Sequence, residues 1–263
     1  MLGPLPAAPA TPPDMQDRFS NGPDPDLWVD GYLPQWTTPD RAQARYGRHS
    51  DGLLLRIDED QPDWRPADAP LRVSNLQTGS FSGPLGSTRG THRHRPDGLR
   101  VETEVPLRLL WAPAAGRVDI EVSASRDLDC MLAAWLVGTE HRSARDCGEV
   151  CIFEIDARAA GETWTARTGV KAHHDDRLAT QMIETALPFD AGTPHVWTAI
   201  WGDGETIIGC DGEIVQRLPQ APDYPLFLMI DLFEIGPPRG TYPKTAMVHS
   251  VRGWGRSARV SRG

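Results

Sequence analysis

The chain has 263 residues, with 27 Lys and Arg against 36 Asp and Glu, a formal net charge of −9 and a pI near 5.3. That balance argues against nucleic acid or an anionic membrane surface as the main partner, since both reward a basic face. With 25 Gly, 24 Pro and a 39% hydrophobic share, turns are frequent and long helices scarce, and the length suits one large all-β domain.

Residues 1–13, rich in Pro and Ala, read as a flexible N-terminal tail, which leaves 14–263 as a single domain. The opening MLGPLPAAPATPPDMQ has no basic segment followed by an apolar one, and no run of about 18 apolar residues occurs anywhere. A cytoplasmic protein with no membrane span is therefore expected.

Short alternating segments then recur between turn signals. In LRVETEVPL (99–107), Leu99, Val101, Thr103, Val105 and Leu107 form one face and Arg100, Glu102 and Glu104 the other; in RVDIEVSAS (117–125), Val118, Ile120, Val122 and Ala124 oppose Asp119, Glu121 and Ser123. Both predict half-buried strands. MLAAWLVG (131–138), TWTARTGV (163–170), HVWTAIW (195–201), PLFLMIDLF (225–233) and MVHSVRGWG (247–255) continue the pattern. TIIGCDGEIV (206–215) carries Asp211-Gly212 between two β-prone runs, the signature of a two-residue hairpin. No sustained 3.6-residue period is present, so the pattern predicts a two-sheet antiparallel β-sandwich.

Four cysteines, Cys130, Cys147, Cys151 and Cys210, are too few and too scattered for a disulfide scaffold and read as reduced thiols. Cys147 and Cys151 could be combined with His141, His173 or His174 into a zinc site, but the C-x3-C spacing lacks a second paired half. No metal or other cofactor is expected.

The segment GEVCIFEI (148–155) sets two glutamates in an otherwise apolar run. Strict alternation would turn Glu149 and Cys151 to one face and Glu154 to the other; a single β-bulge between them would bring all three to one side.

EVCIFE (149–154) resembles the Glu-x-Asp-x-x-Glu motif of the family-sixteen glycoside hydrolases, the laminarinases, lichenases and agarases, with Cys151 in place of the aspartate. Other segments resemble the family in the same order: RFSNGPDPDLW (18–28), GRVDIEVSA (116–124), AAWLVG (133–138), HVWTAIWGDGETIIGCDGEIV (195–215), DYPLFLMIDL (223–232) and AMVHSVRGWG (246–255). The resemblance implies a concanavalin A-like jelly roll with a concave substrate cleft, and a bulge that sets both glutamates in it. It implies Glu149 as nucleophile and Glu154 as acid/base of a retaining double displacement, for which carboxyl groups about 5–5.5 Å apart are suited. A close, ionised Glu149 would help keep Glu154 protonated. Trp135 sits where relatives stack a sugar ring, and Tyr32, Trp36 and Asn75 in the early part of the chain are further candidates for sugar contact.

Departures from the pattern bear on activity. Cys151 offers the nucleophile a weaker hydrogen bond than a carboxyl group and removes a like charge. Lys171 stands where relatives often carry histidine, with His173 or His174 as possible substitutes. The family's SGRI segment appears as SGPLGS (82–87), without its arginine.

The leading expectation is a retaining endo-β-glycosidase or transglycosylase acting on a β-linked glucan or galactan, with an oligosaccharide or small molecule as partner. An intracellular tailoring enzyme acting on a small metabolite in the same cleft, and a catalytically silent carbohydrate-binding protein, stay open as alternatives. No feature specifies an oligomeric state.

Overall fold

The computed structural model describes residues 2–93, 98–159 and 161–256; Met1 of the expected tail and 257–263 of the expected domain lie outside them. Two antiparallel sheets carry the fold. One, six-stranded, runs in the order β11 (Gln181–Ala186), β10 (Thr165–Lys171), β9 (Glu149–Asp156), β8 (Cys130–Gly138), β15 (Leu226–Ile235) and β4 (Leu71–Gln77). The other runs β14 (Glu213–Leu218), β13 (Glu205–Cys210), β12 (His195–Gly202), β7 (Ala115–Ser123), β16 (Lys244–Arg256), β3 (Gly52–Ile57) and β2 (Arg45–His49), with β1 (Met15–Asp17) also paired to β16. A small ribbon joins β5 (Gly79–Ser80) to β6 (Arg108–Leu109), and the only α-helix among the described residues is α1 (Pro39–Ala42). None of the described helices is long and apolar enough to cross a membrane.

Alternation explains how the sheets meet. Val118, Ile120 and Val122 of β7 are buried in the same apolar cluster as Leu132, Ala134 and Leu136 of β8 and Leu228, Ile230 and Leu232 of β15. Asp211 and Gly212 join β13 to β14 with φ of 49° and 85°, the left-handed pair that a type I′ hairpin turn requires.

Two expectations change. Residues 99–107 form no strand: Leu99 and Val101 are buried, but Leu107 is 51% exposed. The backbone there bonds to loops, with Val101 N–H donating to the Ser87 carbonyl and Glu102 N–H to that of Gln35. Pro106 has no N–H to extend a ladder. The first residues of the tail, 2–5, expected to be loose, lie along β14. Leu2 N–H donates to the Ile214 carbonyl and Leu5 N–H to that of Gly212, while Ile214 N–H returns a bond to Gly3. The unpaired edge of β14 supplies the backbone partners that a Pro- and Ala-rich segment cannot supply for itself.

Candidate active site

The bulge lies on β9 where the spacing of the glutamates requires it. Ala134 of β8 pairs with Phe153, and the next residue, Trp135, pairs with Cys151, so Ile152 is the extra residue. The β10 side shows the same slip, since Arg167 pairs with Glu154 and Gly169 with Cys151. Consecutive Ile152 and Phe153 both turn into the inter-sheet core. Glu149, Cys151 and Glu154 consequently share the outer face, with a carboxylate oxygen of each glutamate and the Cys151 sulfur all within 4.8 Å of one another.

Glu149 is almost fully buried. Its Oε2 meets His173 Nε2 at 3.0 Å and its Oε1 lies 2.9 Å from Lys171 Nζ. The Lys171 contact is off the hydrogen-bonding direction, so at Oε1 it is an electrostatic pairing. Burial pushes the Glu149 carboxyl up, but Lys171, the His173 hydrogen bond and the neighbouring His92 bring it down to about 2. Glu149 is therefore a carboxylate across the ordinary pH range.

Three donors converge on Glu154. Lys171 Nζ is 2.6 Å and Trp135 Nε1 3.1 Å from Oε1, and Arg167 Nε is 2.9 Å from Oε2. Lys171 thus stands between the two glutamates, within reach of a carboxylate oxygen of each. Arg167 also holds Asp156, with Nη1 2.6 Å from its carboxylate.

Cys151 does not bond the nucleophile candidate. Its thiol points to the Arg167 carbonyl at 3.5 Å, and burial, with Glu154 adding, keeps it neutral by raising it well above the usual thiol range. On β15 and β4, Asp231 pairs directly with Asn75, whose amide donates to Asp231 Oδ1 at 2.6 Å. Burial, with the charge on Glu149 adding and the Asn75 hydrogen bond opposing, raises Asp231 well above the carboxylate range. A proton kept there removes an uncompensated charge from the middle of the sheet.

Three non-glycine residues around Glu149 adopt left-handed backbone: His92 at φ 52°, Glu140 at 51° and His173 at 49°. Such conformations cost about 1–2 kcal/mol each and persist where surrounding contacts enforce them. One such contact is visible: Glu140 is buried and accepts the His92 N–H at 2.7 Å. Burial, opposed by Arg93 and backbone N–H groups, raises its carboxyl to about 7.

The expected sugar contacts divide into two groups. Trp135 lies beside the pair and is bound to Glu154, whereas Trp36 and Asn75 are fully buried and Tyr32 nearly so. Tyr32, Leu33, Trp36 and Trp64 form a second apolar cluster over Met131, Trp135, Met229 and Phe233. The cleft expected over Trp135 is therefore roofed on that side, and Trp36 and Asn75 offer no surface to a ligand. The accessible approach is from β10, where the Lys171 and Arg167 side chains are 27% and 35% exposed against 2% for Glu149. SGPLGS (82–87) lies in a loop. Cavity volume does not locate this site. A cavity of about 580 Å³ lined by Asp119, Glu121 and Arg252, and one of about 920 Å³ lined by Trp164 and Phe189, both lie elsewhere.

Arg167, His92, Glu140 and Asp231 went unnoticed in the sequence. Arg167 was within reach, because alternation along TARTGVK puts Arg167 and Lys171 on one face. Asp231 is the one charge inside PLFLMIDLF. His92 and Glu140 lie in loops and carry no periodic signal.

Two groups around the pair have metal-ligand chemistry: His92, Glu149 and His173, and Glu149, Cys151 and Glu154. The Lys171 ammonium, in contact with both glutamates, opposes a cation in either place. Cys147 turns its sulfur toward the Ala172 carbonyl, and all four cysteines are free and buried.

Solved structures share this architecture. An endo-β-galactosidase from Clostridium perfringens that releases GlcNAcα1-4Gal superposes with a TM-score of 0.78 at 22% identity, over 95% of this chain and 65% of that one. The chain has the jelly-roll fold of the family-sixteen glycosidases. A non-specific endo-β-1,3(4)-glucanase of that family gives a TM-score of 0.64 at 14% identity, covering 97% of this chain and all of the other. A Bacillus licheniformis β-glucanase gives 0.60 at 13% identity, over 94% of this chain and all of that one. This jelly-roll chain spans about two thirds of the galactosidase's length. No protein-family model matches the sequence, and no curated protein sequence matches it either.

Proposed function

We propose that the protein is a retaining β-glycosidase in which Glu149 attacks the anomeric carbon and Glu154 serves the leaving group and then the incoming water. The observation that carries this reading is the bulge that brings both carboxylates to one face, with their oxygens within 4.8 Å. That separation suits a covalent glycosyl intermediate and leaves no room for the water of an inverting mechanism. Glu149, ionised and held from two sides, is prepared as a nucleophile. Likeness to an endo-β-galactosidase and to endo-β-glucanases supports a β-linked galactan or glucan as the substrate class.

The test is Glu149→Gln, assayed on β-linked galacto- and gluco-oligosaccharides. Turnover falls by at least about 10³-fold if the carboxylate is the nucleophile, with the thermal unfolding curve showing a folded protein. Undiminished turnover in the variant refutes the assignment.

A second reading, a carbohydrate-binding protein without catalysis, is favoured by one observation. Lys171, Trp135 and Arg167 all donate to Glu154, so both of its oxygens are already engaged within the protein and turned away from a leaving group. Oligosaccharide binding without cleavage over long incubation would select it.

A further inference from the structure

On the outer face of the second sheet, across the sandwich from the glutamate pair, β7, β16 and β3 bring a serine and a histidine together. Asp119, Glu121 and Ser123 alternate outward along β7 while Val118, Ile120 and Val122 enter the core. β16 pairs Val248 with Val122 and Ser250 with Glu121, so His249 is the extra residue of a bulge. Its half-buried ring places Nε2 2.9 Å from Ser123 Oγ and turns Nδ1 to the Asp51 carbonyl at 2.9 Å. The turn carrying Asp51 comes this close because Gly52 follows it. At its φ of 144° a Cβ would lie 2.3 Å from the Val248 carbonyl oxygen.

The Asp51 carbonyl fixes the tautomer. A carbonyl oxygen accepts and never donates, so Nδ1 carries the proton of the neutral ring and Nε2 presents its lone pair to the Ser123 hydroxyl. A hydroxyl within reach of a base that a third group orients is the arrangement of an activated nucleophile. The pair also borders an open space. His249 and Asp51 line the cavity of about 580 Å³, as does Glu121, one alternation from Ser123, and Arg18 and Arg252 bring positive charge to it. Val196 is the one apolar residue in its lining, which suits a hydrophilic ester with a short acyl group and offers no slot for a long chain.

We propose that Ser123 and His249 form a second catalytic site, which hydrolyses short-chain acyl esters of polar alcohols. It stands independently of the glycosidase reading. Ser123 Oγ bonds to the acyl carbon as its proton passes to His249 Nε2. The bond to the alcohol oxygen then breaks, and His249 gives that oxygen the proton. Water next attacks the acyl carbon and passes a proton to His249; the bond to Ser123 breaks, Oγ recovers that proton and the acid leaves. The guanidinium groups of Arg18 and Arg252 are the charge the cavity offers to the oxyanion of each tetrahedral intermediate. Because the third group is a neutral carbonyl, it orients the ring without the stabilisation that a carboxylate gives to an imidazolium, so esters are within reach and amides are not.

Labelling of the wild-type protein with diisopropyl fluorophosphate, followed by peptide mapping, tests the nucleophile. The expected result is an adduct on the peptide carrying Ser123, formed about 10²-fold or more slowly in His249→Ala. Hydrolysis of triacetin and of p-nitrophenyl acetate should fall by about 10²-fold or more in Ser123→Ala, with thermal unfolding showing a folded protein. The wild-type labelling decides the matter even where a variant does not fold. An unmodified Ser123 in the wild-type protein, labelling at an unchanged rate in His249→Ala, or undiminished ester hydrolysis in Ser123→Ala overturns the proposal. p-Nitrophenyl octanoate turned over as fast as the acetate overturns the short-chain assignment.

Discussion

On the inner face of the six-stranded sheet, Leu132, Leu136, Val150, Ile152, Phe153, Leu228 and Ile230 are completely buried and all apolar. The outer face of the same strands mixes Trp135 and Met229 with Glu149, Glu154 and Asp231, and is just as nearly closed to solvent at Glu149 and Asp231. The inner face is stabilised by removing hydrocarbon from water and by close packing, which are indifferent to pH. The outer face depends on each buried carboxylate having a cation or a proton of its own: Lys171 and Arg167 for the glutamates, and a retained proton for Asp231. One β-strand, β9, serves both faces, and its bulge is what allows the two sets of requirements to coexist.

This difference can be broken experimentally. The largest effect is expected from Phe153→Ala on the inner face, where the ring packs against Trp197 at 5.3 Å between centroids. A loss of about 4 kcal/mol is expected in urea denaturation, the same at pH 5 and pH 8. A pH-dependent loss would mean that the inner face also relies on charge.

Lys171→Met on the outer face should cost somewhat less, about 3 kcal/mol at pH 7, because it leaves two adjacent carboxylates without their shared cation while Arg167 remains. Its sign with pH is set by Glu149. A carboxyl lowered from 4.5 to about 2 on folding contributes stability that is present above 4.5 and lost as pH falls through about 2. The gap between wild type and variant should therefore narrow on acidification, as followed by denaturation between pH 7 and pH 3. A constant gap would assign Lys171 a packing role.

Glu140→Gln should act in the opposite direction. A carboxyl raised from 4.5 to about 7 contributes stability present below 4.5 and lost as pH rises through 7. The variant should gain on the wild type between pH 5 and pH 8.5, by at most about 3 kcal/mol. Equal stability across that range would show that Arg93 and the His92 N–H already compensate the charge.

The inner face was legible in the sequence because alternation of apolar residues is enforced by burial on one side of each strand, as in RVDIEVSAS and MLAAWLVG. The hairpin at Asp211-Gly212 was legible for a different reason, since few residues tolerate two successive left-handed conformations. The shared face of Glu149 and Glu154 was not legible from period alone, because residues five apart alternate to opposite sides; it required a bulge, which the two glutamates in an apolar run raised as a possibility and the resemblance turned into an expectation. Lys171 between the glutamates depends on the register of β10 against β9, a long-range property that no local pattern carries. Trp36 misled for a related reason. An aromatic residue in an early loop looks available to a ligand until the loop folds back and buries it against the second cluster. Residues 99–107 show the converse, an alternating pattern whose buried members find loop partners and form no ladder.

The central claim is that Glu149 and Glu154 work as a nucleophile and an acid/base pair on one face of β9. Mass spectrometry of Glu154→Gln incubated with 2,4-dinitrophenyl β-glycosides, whose leaving group needs no proton, tests it most directly. A glycosyl adduct mapped to the peptide carrying Glu149 is the expected result. An unmodified protein, or an adduct on any other residue, would contradict it.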